Sequence, residues 1–494
     1  MDEHKNISLS QLKEKTLTGF KWSFFDNVGR LGGQFVIGIV LARLLDPVDF
    51  GLVGMLTIFI VIGSSLTNSG FGQALIQKKD AGDVDFSTVF YFNVFTSIFL
   101  YILVFACSAL ISRFYNETDL ISLTRVLCLI FIIDAFGLVH RTYLEKKLNF
   151  KAPSIIGVVS IFTSGAISIY LALKGLGVWA LVCNSILRSF ITTTLLWILS
   201  GWKPSFVFRF KSFKVLFSYG SKILIAGILN SIFNNIYYLI IGRFFQAASL
   251  GYYTRAVQFS NLPVNTLTVV VQKVAYPVFS LMQDNNPKLI VGYTKIIRIL
   301  AAIALPLMAL IYIIAKPIII VVLGDKWLPV VPYLRIMCIY GWIFILYSIN
   351  NIVITAKGRS DYYLQLQIIN KIIIAGAIAI TYKHGVSALI YGQMGATVLT
   401  YLASSWYLKK VIDISIGYQL KNILPFFIST ILMFAASIPV SHLISSDIIR
   451  ILCSTLWGIF IYTASLWMMK IGELETCIRF VKNNMKQFYI KAKL

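Results

Sequence analysis

Fourteen mostly apolar stretches follow one another along the chain, at about residues 18–44, 49–73, 85–111, 119–144, 153–173, 177–200, 214–244, 250–280, 289–323, 330–356, 361–382, 385–409, 419–443 and 447–470. A hydrocarbon core about 30 Å thick takes about 20 helical residues to cross, so each stretch is long enough to span a bilayer. Inside lipid no water satisfies an exposed backbone N–H or C=O, which leaves helices and closed barrels as the only spanning structures. Barrel strands would alternate apolar and polar residues, and these stretches do not. The fold class that follows is an all-α polytopic membrane protein of about 14 transmembrane helices. The composition agrees, with 58% hydrophobic and 13% charged residues, against about 45–50% and about 25% in a soluble domain.

Four short echoes divide these spans into halves. Ala42–Gly51 (ARLLDPVDFG) returns as Gly242–Gly251 (GRFFQAASLG), with Arg43 and Arg243, and Gly51 and Gly251, 200 positions apart. Leu123–Cys128 returns as Tyr333–Cys338, Gly165–Ile169 as Gly376–Ile380, and Gly177–Leu181 as Gly385–Leu389. Four matches in one order at a nearly constant offset imply a duplicated unit. The expected plan is two pseudo-symmetric six-helix lobes, 18–200 and 214–410, joined by a basic connector at 201–213. Two accessory helices occupy 411–470, an interfacial helix lies over 1–17, and a basic tail runs over 471–494. The connectors after even-numbered spans carry most of the loop cations, among them Lys78, Lys79, Lys146, Lys147, Lys203, Arg209, Lys211, Lys409 and Lys410. The positive-inside rule then puts both termini in the cytoplasm. The polar opening residues lack the pattern of a cleaved leader.

The formal charge of +24 invites a nucleic-acid partner. The basic residues are spread over short connectors and helix interiors rather than one soluble face, so no nucleic acid is expected. Six scattered cysteines and four distant histidines offer no disulfide framework or metal-ligand spacing. No nucleophile–His–acid pattern or phosphate-cradling glycine loop is present, and nothing points to an enzyme, a cofactor or a resident metal.

The informative residues are ionisable groups inside apolar spans. Asp26 and Arg30 stand four apart on one helical face, where they can pair. Asp134, Arg188, Lys222, Arg255, Arg298 and Lys371 lie in later spans. A central Lys or Arg against lipid costs about 2.5–3.5 kcal/mol, so six of them would cost on the order of 15–20 kcal/mol. They must pair, snorkel or face internal water. Asp26 and Asp134 are too few to neutralise six cations, so the surplus predicts a water-filled cavity with a basic lining, suited to a phosphate or diphosphate. The stretch Gly63–Gln73, rich in small and polar residues, suits either close helix packing or a wet path.

Ala42–Met55 followed by Gly70–Gln77, and Leu250–Ala256 followed by Leu262-Pro263 and Tyr276–Ser280, resemble the polysaccharide-transporter branch of the multidrug/oligosaccharidyl-lipid/polysaccharide (MOP) flippase superfamily, especially the colanic-acid, capsule and O-antigen exporters. The resemblance implies a bundle of two six-helix lobes plus two accessory helices. It also implies alternating access, and translocation of a polyprenyl-diphosphate-linked oligosaccharide from the inner to the outer leaflet of a bacterial inner membrane. Arg30, matched by span, and Arg255, matched by motif, would line its cavity. Asn68, Asn230, Asn234 and Asn235 are candidates for sugar contacts or for helix–helix hydrogen bonds. A polysaccharide polymerase and chain-length proteins are further candidate partners, besides membrane lipids. Two other functions stay open. A cation-coupled drug or small-molecule antiporter of the same superfamily would use Asp26 and Asp134 for coupling. A polytopic glycan polymerase or ligase would need a large catalytic loop, which no connector supplies.

Overall fold

The computed structural model describes Trp22, residues 29–68 and residues 70–471 of the 494-residue chain. The expected interfacial helix, Asp26 and the basic tail beyond Ile471 lie outside the described residues.

The described residues form sixteen α-helices, one 3₁₀ turn and no strand. In order they are α1 (29–44), α2 (Pro47–Asn68), α3 (Phe71–Gln77), α4 (Asp83–Tyr115), α5 (Leu120–Leu127), α6 (Ile130–Lys146), α7 (Lys151–Leu173) and α8 (Val178–Ser200). There follow α9 (Phe210–Phe244), α10 (Ala247–Leu281), α11 (Asn286–Val322), α12 (Val330–Ala356), α13 (Ser360–Thr381), α14 (Val386–Ile412), α15 (Ile416–Leu443) and α16 (Asp447–Met468). With α2 and α3 as one span and α5 and α6 as another, fourteen spans remain, in the places read from the sequence. Twelve are long and apolar enough to cross a membrane by length and composition. The other two are α1, described only from residue 29, and α10, which carries Arg255, Gln258, Asn261, Asn265, Gln272 and Lys273.

Both broken spans have a local cause. The second breaks where Gly70 takes a left-handed φ of 68°; a Cβ there would come within 2.5 Å of the Gly220 carbonyl oxygen on α9. The fourth breaks at Cys128-Leu129, where bonds from Leu129 N–H to the Val126 carbonyl (3.2 Å) and from Phe131 N–H to the Cys128 carbonyl (3.0 Å) tighten the helix to a three-residue turn.

Contacts divide the chain into two compact units, Met1–Thr254 and Arg255–Leu494. In the first, α9 packs on α2, α3 and α4, and Phe71, Phe86, Phe90, Trp202 and Leu216 form an aromatic-rich core. In the second, Tyr293, Phe279, Trp327 and Phe426 are fully buried. There a polar network crosses the packed helices. Tyr293 Oη donates to Asn350 Oδ1 at 2.8 Å, Asn350 Nδ2 donates to Ser404 Oγ at 3.1 Å, and Tyr401 Oη donates to Gln419 Oε1 at 2.9 Å.

Three of the four echoes have matching structural roles. Residues 45–46 and 245–246 interrupt helices at the same point of each copy. In the first unit the two copies also meet: a Cβ on Gly51 would overlap the Ala247 carbonyl, and one on Gly251 would overlap the Pro47 carbonyl. Since Ala247 is the counterpart of Pro47, this contact is reciprocal, as at a two-fold axis. Arg125 stacks its guanidinium on Phe105 at 4.4 Å, and its counterpart Arg335 stacks on Tyr312 at 5.3 Å. Gly177 and Gly385 both precede their helices with positive φ, 53° and 96°.

Candidate functional site

The first unit encloses a cavity of about 420 Å³ among α1, α2, α6, α7 and α8. Its charged lining is Arg30 from α1, Asp134 and Arg141 from α6, and Arg188 from α8. Gln34, Ser64, Ser185, Ser189 and Thr192 add hydroxyl and amide groups, while Ile60, Ile130, Ile156, Ile161 and Leu196 make the apolar wall. Helical spacing explains the convergence: Ser185, Arg188, Ser189 and Thr192 recur at three- and four-residue steps on one face of α8. Asp134 and Arg141 stand seven apart, two turns along one face of α6. The cavity reaches from the middle of α8 toward the helix ends that carry the basic connectors, near Pro153 at the start of α7.

Among the described residues, three arginines against one carboxylate leave the lining positive. Asp134 accepts a hydrogen bond from Ser189. Arg188 lies within electrostatic reach of Asp134 and of Arg30. Arg188 makes no side-chain hydrogen bond or ion pair among the described residues, and it is exposed where it lines the cavity. Arg141 is held by Glu145 at 2.9 Å, in an i,i+4 pair. A guanidinium presents a planar fork of donors that matches phosphate oxygens, so this lining suits a phosphorylated group better than a cation.

The structure thus brings Arg30, Asp134 and Arg188 together. The other predicted cations stand elsewhere. Arg255 is 6% exposed, bonded to Gln258 and 5.9 Å from the Trp327 ring centroid. Arg298 lies 5.5 Å from the ring centroid of Phe426 on α15. Lys222 is exposed on α9 and Lys371 half-buried on α13. Asn68, Asn230 and Asn234 are exposed, while Asn235 is half-buried and donates to the Ser231 carbonyl at 2.9 Å. Asp26 lies outside the described residues.

Arg141 is not among the cations that sequence reasoning singles out. His140, beside it, is fully buried, hydrogen-bonded through Nδ1 to Ser200 Oγ at 2.8 Å and ringed by Trp197, Trp202 and Phe90. The seven-residue spacing of Asp134 and Arg141 was the available signal. The 63–73 stretch serves both proposed purposes: Ser64 lines the cavity, whereas a Cβ on Gly63 would overlap the Phe131 ring.

Residues 40–332 match the family described as polysaccharide biosynthesis protein. The chain is 28% identical over 472 residues to the teichuronic acid biosynthesis protein TuaB of Bacillus subtilis strain 168, covering 92% of this chain and 95% of that one. It is 26% identical over 441 residues to the lipopolysaccharide biosynthesis protein WzxC of Escherichia coli K12, covering 85% and 86%. Among solved structures it superposes on the lipid II flippase MurJ in an inward closed conformation, with a TM-score of 0.75, 16% identity, and 91% and 98% of the two chains covered. It superposes on an inward-facing MATE family multidrug transporter of the MOP superfamily with a TM-score of 0.60, 16% identity, and 78% and 95% covered. The chain belongs to the polysaccharide biosynthesis protein family, and its fold is the one seen in the MurJ and MATE structures.

Proposed function

We propose that this protein moves a polyprenyl-diphosphate-linked oligosaccharide, one polysaccharide repeat unit, from the inner to the outer leaflet of a bacterial inner membrane by alternating access. The observation that carries the reading is the cavity lining of Arg30, Arg141 and Arg188 against a single acid among the described residues, Asp134. The diphosphate is the one part of such a substrate that is both strongly charged and common to every sugar attached to it. Arg188 and Arg30 engage its oxygens, and Gln34, Ser64, Ser185 and Thr192 stand ready for the neighbouring hydroxyls. Charge-assisted hydrogen bonds of this kind contribute about 1.5–3 kcal/mol each. The positive-inside rule supports a cavity that opens toward the cytoplasm, where the lipid-linked unit is loaded. The family description and the relatives named for teichuronic acid and lipopolysaccharide biosynthesis support the same substrate class.

An antiporter coupled to a cation needs a carboxylate free to hold that cation. Asp134 is the only acid lining this cavity among the described residues, and it is bonded to Ser189 with arginines about it. That arrangement favours the anionic cargo. The test is complementation of a deletion strain by wild type and by the double variant Arg30→Gln, Arg188→Gln at matched membrane levels, with the leaflet of the lipid-linked oligosaccharide determined. The variant is expected to leave the oligosaccharide in the inner leaflet, and display equal to wild type would overturn the reading.

A further inference from the structure

The segment joining α8 to α9 holds cations and exposed aromatic rings together away from the cavity. Residues 201–214 carry Lys203, Arg209, Lys211 and Lys214 and no acid. The backbone is non-helical as far as Arg209 and helical from Phe210. Its position is fixed by specific bonds. Trp202 is buried against Phe86, His140 and Tyr143. The Ser205 N–H donates to Ser87 Oγ at 3.0 Å, and the Arg209 N–H donates to Thr88 Oγ1 at 3.1 Å. Both acceptors lie near the start of α4, so the segment is strapped across that helix.

Strapping it this way turns apolar side chains outward. Phe206 is 98% exposed, Phe210 70% and Phe208 50%. Rings so exposed are unfavourable in water; Phe206 stacks on Tyr91 and Phe208 and Phe210 lean on Phe213, which still leaves half or more of each of the three phenylalanines uncovered among the described residues. The segment runs from the last residue of one span, Ser200, to the first of the next, Phe210, so it lies where those helices leave the bilayer. At that depth aromatic rings settle at the head-group boundary and basic side chains reach the phosphates. The alternation of Phe206, Phe208 and Phe210 with Arg209 and Lys211 supplies both kinds of group side by side.

We infer that residues 203–214 form a docking surface for anionic phospholipid head groups of the leaflet facing the basic connectors. The three phenylalanines enter the interface, and Lys203, Arg209, Lys211 and Lys214 bind the phosphates. Charge selects the occupant: the segment holds four cations and no acid, and Asp85, which reaches Ser212, is already paired with Lys78 at 2.7 Å, so the surplus favours an anionic lipid over a zwitterionic one.

The test is peptide-resolved hydrogen exchange on the full-length protein in nanodiscs of phosphatidylcholine alone and with added phosphatidylglycerol. Amides of 203–210 are expected to exchange about tenfold more slowly in the anionic discs, given the attraction of several basic residues to such a surface. The quadruple variant K203Q/R209Q/K211Q/K214Q is expected to lose that difference while exchange elsewhere stays as in wild type, and Lys→Arg changes at 203, 211 and 214 are expected to keep it. Equal exchange in the two discs would overturn the inference. So would protection produced equally by inorganic phosphate in phosphatidylcholine discs, or protection that tracks protein concentration and so marks a second copy.

Discussion

Replacing Gly51 by alanine adds one methyl group, and the structure puts that methyl inside the carbonyl of Ala247. The same change at Gly251 puts it inside the carbonyl of Pro47. In each case the obstacle is backbone, so no rotamer change relieves it and one helix must shift against the other. Overpacking costs about 1–3 kcal/mol, and a rigid neighbour argues for the upper half of that range. Alanine's better helix propensity returns about 1 kcal/mol. The expected net loss is about 1–2 kcal/mol for either variant, and less than the sum for both, because the two glycines serve one contact. Gly395, with nothing within 4 Å of an added Cβ, is the control; Gly395→Ala is expected to be neutral or stabilising by up to about 1 kcal/mol. The assay is the thermal midpoint of tryptophan fluorescence for the purified protein in one detergent, at a fixed scan rate because membrane proteins often unfold irreversibly. A Gly51→Ala variant melting at or above wild type would refute the reciprocal crossing.

Asp134→Asn removes the one acid that lines the cavity among the described residues while keeping an acceptor for Ser189. Anion binding should persist or tighten and export should survive; loss of transport with unchanged protein level would instead assign Asp134 a coupling role. Asn350→Ala strips the buried network of its centre and leaves Tyr293 Oη and Ser404 Oγ without this partner. A loss of about 1–3 kcal/mol is expected, since buried polar groups keep their desolvation penalty when a partner is removed. The thermal midpoint checks it, and an unchanged midpoint would mean the network carries no stability.

The spans were legible because the bilayer sets a minimum apolar length for every crossing helix, and the described helices fall where the apolar stretches lie. The two broken spans were less so. Gly70 stood in a stretch marked as rich in small and polar residues, but a Cβ there would meet Gly220, 150 positions away. The echoes were legible as repetition, yet nothing in the letters showed that the first pair touch each other through Gly51 and Gly251. The charged residues behaved likewise. Their number required shelter from lipid, but which of them gather depends on helix packing. Arg30, Asp134 and Arg188 share a cavity because α1, α6 and α8 face it together. Arg255 and Arg298 rest on Trp327 and Phe426, aromatic neighbours far along the chain that no local spacing announces.

Binding of a short polyprenyl diphosphate tests the central claim most directly. Farnesyl diphosphate, farnesyl monophosphate and farnesol would be titrated against the purified protein and against Arg188→Gln, by calorimetry in one detergent. One charge-assisted contact of about 1.5–3 kcal/mol makes the variant about ten- to a hundredfold weaker for the diphosphate, with farnesol unchanged. Equal affinity of both proteins for the diphosphate, or no preference for it over farnesol in wild type, would contradict an arginine-lined cavity that recognises the anionic head of its cargo.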